Sequence, residues 1–173
     1  MTKHLPDIVD AFDFIEKRRV LEGSLPLVRM ERLRGLLLEP DGDVRFRLAF
    51  GREGGILAVR GYVAAEVALE CQCCLSLMTH RVENDFALGL VSSIDEANLL
   101  PEPFEPLLLD DKPFLRVVDL IEDEMLLSIP HVPNHGTCES FGLPGLAEED
   151  KVLTVRKPFA NLAMIIPLDT TKV

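Results

Sequence analysis

Ile56-Leu57-Ala58-Val59-Arg60-Gly61-Tyr62-Val63-Ala64-Ala65-Glu66-Val67-Ala68-Leu69 carries an apolar residue or glycine at every second position from Leu57 to Leu69. Side chains alternate between faces along a strand, so the spacing predicts one long strand with an apolar face, and Gly61 marks a bend or bulge. On the N-terminal side, Val44-Arg45-Phe46-Arg47-Leu48-Ala49-Phe50 alternates in the same way. It is bounded by the turn signals Pro40-Asp41-Gly42-Asp43 and Gly51-Arg52-Glu53-Gly54-Gly55. On the C-terminal side, residues 79 to 90 alternate again. Three alternating segments joined by short turns predict an antiparallel meander.

The single clear helix is expected near 119–129, where Val118, Ile121, Met125 and Ile129 recur at three-to-four spacing until Pro130. Asp119 is placed to cap it, and Glu122, three positions on, completes an acidic capping-box pattern. Fold class is therefore α+β, an antiparallel sheet with that helix packed on it, flanked by irregular N-terminal and C-terminal arms. Residues 1–40, interrupted by Pro6 and Pro26, read as an irregular arm with short extended pieces. Residues 92 to 113 read as a proline- and acid-rich loop with a short strand around Leu107 to Leu109, and 136–157 as a mobile loop. At 173 residues one domain over 1–173 is the natural expectation.

The chain is 47% hydrophobic and 27% charged, which fits a globular protein rather than a disordered one. No apolar run reaches the roughly 18 residues of a membrane span, and Met1 to Asp7 lacks the apolar region of a secretory signal, so a cytoplasmic location is expected. Thiols stay reduced there, which favours thiol or metal-bound cysteines over disulfides. The formal charge of −11 argues against a protein that coats DNA or RNA phosphates. Residues 1–60 carry 11 basic and 10 acidic side chains, whereas residues 61–173 carry 7 and 19. The second part should attract a basic partner, and the acids Asp119, Glu122, Asp123 and Glu124 are its candidate partner-binding residues. Capping and a solvated helix face explain the same four without any partner.

No phosphate-binding glycine loop, H-E-x-x-H or G-x-S-x-G motif is present, so nothing in the sequence points to an enzyme. The chemistry-bearing residues are the C-x2-C pair Cys71 and Cys74 and the distant H-x2-C pair His135 and Cys138. Four sulfur and nitrogen donors suit tetrahedral zinc if the hairpin end meets the chain after the helix, although 60 residues separate Cys74 from His135. Cys73 and His131 compete for places in such a set, and thiols packed as small hydrophobes are the bland alternative. A thiol-disulfide redox role for the C-x-x-C pair is the functional alternative. Such a pair usually opens a helix, whereas this one lies between two predicted strands.

Leu69-Glu70-Cys71-Gln72-Cys73-Cys74-Leu75, the loop Leu99-Leu100-Pro101-Glu102-Pro103-Phe104-Glu105-Pro106, the run from Val118 to Pro133 and Pro158-Phe159-Ala160-Asn161-Leu162 follow one another in an order that resembles the YceD family. The resemblance spans about residues 60 to 165 and rests on the ordered set. The family position of Cys73 is usually basic, so this chain lacks a charge beside the proposed ligands. The resemblance implies a non-enzymatic factor supporting synthesis, processing or stability of large-subunit (23S) ribosomal RNA. Its implied partners are that RNA or a basic large-subunit ribosomal protein.

Overall fold

A computed structural model describes residues 5–109 and 113–136, all within one compact unit, Met1–Ser140. The long alternating segment is strand β4, Ile56–Glu70, flanked by β3, Asp43–Glu53, and β5, Leu77–Val91. A five-stranded sheet runs in the order β2-β3-β4-β5-β6, with β2 at Val20–Pro26 and β6 at Glu105–Leu108. The first four strands pair antiparallel, while β6 pairs parallel to β5. The fold is thus α+β with a meander at its centre and a parallel strand at one edge.

Val44, Phe46, Leu48 and Phe50 of β3 and Val59, Val63, Val67 and Leu69 of β4 are all buried on the predicted face. Helix α4, Val117–Ser128, packs on that face and contributes Val118, Leu120, Ile121 and Met125. It begins two residues before the expected position. Its N-cap is Arg116, with no side-chain cap, and Asp119 falls in the first turn, where it pairs with Arg116 at 3.1 Å rather than capping.

The N-terminal segment is more regular than an irregular arm. It forms β1, Ile8–Asp10, helix α1, Ala11–Glu16, then β2, a 3-10 turn at Leu27–Arg29 and the one-turn helix α2, Glu31–Arg34. Asp10 caps α1 by accepting from the Asp13 amide at 3.0 Å, and Phe14 meets the Phe50 ring edge-on at 5.3 Å between centroids. Burial of Ala11, Ile15, Leu27, Met30 and Leu33 makes this segment part of the core. β1 pairs antiparallel with β7, Phe114–Arg116, directly before α4. Between β5 and β6 the expected loop also holds a helical turn, α3 at Ile94–Ala97, capped by Ser93, which accepts from the Glu96 amide at 3.2 Å. The Ser93-x-x-Glu96 spacing is a capping-box signal in the sequence.

Gly61 is not a bulge, because the β3–β4 and β4–β5 registers run through it without interruption. Glycine is required there for another reason. A Cβ at Gly61 would sit 1.9 Å from the ring of Phe86, its own register partner on β5. Of the 136–157 loop only Gly136 is described; the rest, like the segment from 158 onward, lies outside the described residues.

Candidate functional site

β4 delivers the first donor. Cys71 follows its last residue, Glu70, and is fully buried at the end of the alternating apolar face, while Cys73 is exposed. The chain then reverses through residues 71–76 into β5. The Leu75 amide donates to the Cys71 carbonyl at 2.8 Å and the Cys71 amide to the Ser76 carbonyl at 2.9 Å. Leu75 adopts φ +56°, a left-handed conformation that costs a side-chain-bearing residue energy. This tight turn aims Cys74 toward the same side as Cys71.

α4 delivers the other half. After its end at Ser128, the chain passes Pro130 and Pro133, and the Pro133 carbonyl accepts from the Gln72 amide at 2.8 Å. That bond fastens the segment following the helix to the cysteine turn. Asn134 then accepts from the Gly136 amide at 2.9 Å, with Gly136 at φ +72°, and the turn presents His135 to the thiols. The donor atoms of Cys71, Cys74 and His135 all lie within 4.8 Å of one another, and Cys74 Sγ is 3.4 Å from His135 Nδ1. Cys71 by hydrogen bonding, and then Cys74, holds the His135 imidazole above its ordinary pKa.

Two thiols and an imidazole this close are a donor set of the kind zinc takes. Bonds of about 2.3 Å to sulfur and about 2.0 Å to nitrogen put donors on a tetrahedron about 3.5–3.8 Å apart. The Cys74–His135 spacing of 3.4 Å fits that edge. Ser76 Oγ lies 3.0 Å from Cys74 Sγ, in the position of an outer partner that orients a ligand. Cys138, the fourth expected ligand, lies outside the described residues; neither Cys73 nor His131 joins the cluster.

The four acids expected to form a partner face divide into two pairs. Asp119 is half-exposed and Asp123 exposed, and each is matched by an arginine, Arg116 and Arg32 respectively. Glu122 and Glu124 are each only 4% exposed. Glu122 reaches α2, where Oε1 accepts from the Arg32 amide at 2.7 Å and the Leu33 amide at 3.0 Å, and Oε2 accepts from Arg32 Nε at 3.1 Å. It therefore caps a helix ninety positions away rather than its own. Glu124 faces β5, accepting from Asn84 Nδ2 at 3.3 Å. Their places were readable in the apolar stripe itself: Glu122 follows Val118 by four, and Glu124 follows Val117 by seven.

Among the described residues no helix is long and apolar enough to cross a membrane. The family model described as large ribosomal RNA subunit accumulation protein YceD matches residues 59–164, which include the cysteine turn, α4 and His135. A Haemophilus influenzae protein of the same description is 30% identical over 138 residues, covering 78% of this chain and 79% of its own. No solved structure matches.

Proposed function

This chain belongs to the YceD family, and on that premise we propose that it is a non-enzymatic factor supporting the accumulation of large-subunit (23S) ribosomal RNA in ribosome biogenesis. The observation that carries the proposal is the relationship to the H. influenzae protein over most of both chains. It acts in the cytoplasm by binding, either to the RNA or to a basic large-subunit ribosomal protein. Deleting the gene should lower mature large-subunit rRNA relative to small-subunit rRNA, measured on total RNA, and the wild-type gene should restore the ratio. An unchanged ratio across several growth conditions sinks the proposal.

Zinc held by Cys71, Cys74 and His135, with Cys138 as the fourth ligand, forms part of the same proposal. Bound there, the metal would act as a structural cross-link. The chain's own residues prepare that link: the 71–76 turn aims the thiols, and the Gln72–Pro133 bond holds the segment bearing His135 against them. Binding is favoured over thiol exchange by the setting of the pair, since Cys71 directly follows a strand and neither thiol stands at a helix N-terminus. Purified protein never exposed to chelator should contain about one zinc per chain, and EDTA should lower its melting temperature. Cys74→Ala should lose the zinc and the EDTA response together. Substoichiometric metal with an EDTA-insensitive melt removes zinc from the proposal.

A further inference from the structure

On the opposite side of Glu124 from the helix core, a cleft of about 630 Å3 opens between β4, β5, the start of β6 and the last turn of α4. Glu83, Asp85, Glu105 and Glu124 line it, and among the described residues Arg60 is its single cation. Arg60 is already matched, by Glu53 at 2.8 Å and by the Phe104 ring under its guanidinium. Glu83 is matched as well, by Arg81 and by the Tyr62 hydroxyl, which donates to it at 2.8 Å. Asp85, Glu105 and Glu124 have no ion pair among the described residues.

Glu124 is the most informative of these. One of its oxygens accepts a single bond from a neutral amide, and the other, which stays open to the cleft, has no hydrogen-bond partner among the described residues. Burial, then Glu105, then Asp123, pushes its carboxyl up to about 7. A carboxylate largely withdrawn from water without a cation is costly, and a cation entering the cleft would relieve that cost. A cleft lined mainly by negative charge also concentrates the field that draws such a cation in.

We infer that this cleft takes the arginine side chain of a basic polypeptide, with Glu124 and Glu105 as the receiving carboxylates. A metal ion is the poorer fit. Among the described residues the one convergent set of three or more metal-type donors is the Cys71–Cys74–His135 cluster, so the cleft's carboxylates do not close on a point. The space suits a long side chain, and Phe86, Pro103 and Leu127 give its aliphatic stem an apolar wall. A guanidinium is weakly hydrated and planar, which suits a partly desolvated cleft better than an ammonium does. Leu127, 74% exposed at the mouth, offers contact to residues flanking the arginine, which a free polyamine would leave unused.

The inference rests on the reading of this chain as a binding factor, and it names the partner chemistry. Its test is titration of the full-length protein, at low salt, into a short fluorescent peptide of alternating arginine and glycine, followed by anisotropy. The wild type should bind it more tightly than the isosteric citrulline peptide. Glu124→Gln and the exposed Glu105→Gln should each weaken binding about tenfold, the scale of one charged hydrogen bond. Asp41→Asn removes the same charge from an exposed turn outside the cleft lining and should have little effect. Thermal melts establish that each variant is folded, and Glu105→Gln decides the matter if Glu124→Gln is not. Equal binding of the citrulline peptide, or losses no larger than that of Asp41→Asn, overturns the inference. So does preference for a labelled RNA oligonucleotide whose binding the two glutamine variants strengthen. The rRNA ratio in the deletion strain tests the wider function without reference to the cleft, so either result can fail alone.

Discussion

Glu122→Ala should lower the free energy of unfolding by about 2–4 kcal/mol, a large share of the roughly 5–15 kcal/mol that holds a domain of this kind. The reason lies at the start of α2. Its N-cap, Met30, is fully buried and has no polar atom with which to satisfy the amides of the first turn. Glu122 does this from across the core, one oxygen accepting from two amides, of which that of Leu33 belongs to a fully buried residue. Alanine leaves both donors without a carboxylate. Loss of a cap costs about 1 kcal/mol, and each buried donor left unmet about 1–3 kcal/mol. The Arg32 side chain adds little, since it is about half exposed and keeps Asp123 as a partner.

Glu122→Gln separates these contributions. Its carbonyl oxygen can occupy the position that receives both amides, while its NH2 would face the Arg32 guanidinium, donor against donor. A loss of about 1 kcal/mol is expected, well below that of alanine. Urea unfolding of the three proteins, with unchanged m-values, checks the order. If alanine and glutamine cost the same, the carboxylate is not acting as a cap.

The legibility of the fold followed the strength of its periodicity. β3, β4 and β5 were readable because the sheet buries one face along most of their length, which forces alternation. β2 gave no such signal, because Leu25 is its single buried residue and backbone pairing with β3 defines the strand. α1, six residues long, and α2, four, are too short to display a helical period. Gly61 was visible as a break in side-chain volume, but its cause, the Phe86 ring, lies on a neighbouring strand. In the metal-type cluster, the spacing of Cys71 and Cys74 and the identity of His135 were legible. Their convergence was not, since it depends on the end of a hairpin meeting the chain beyond α4 through the Gln72–Pro133 bond. In the sequence the helix acids look like one surface, because adjacent carboxylates usually face water. The helical period instead sends Glu122 and Glu124 inward and Asp119 and Asp123 outward.

The second large effect is a dependence of stability on pH set by Glu124. In the unfolded chain its carboxyl titrates near the ordinary value of 4.5, whereas in the folded protein it is pushed up to about 7. Between these values the unfolded chain has released a proton that the folded chain keeps. The group's contribution to stability is therefore fully present below pH 4.5 and is lost as pH rises through 7. A displacement of this size corresponds to up to about 3 kcal/mol, and water in the cleft reduces it to about 2 kcal/mol. Burial comes first in setting the sign, and the groups facing Glu124 act the same way: Asn84 of β5 offers one neutral donor, while Glu105 of β6 and Asp123 of α4 repel a second negative charge. Glu124→Gln should match the wild type near pH 5 and exceed it by about 2 kcal/mol at pH 8. His135 titrates in both proteins, so the difference between them at each pH isolates Glu124. Denaturant unfolding from pH 5 to pH 8 gives that difference directly, and parallel curves would mean that the buried carboxyl is not perturbed.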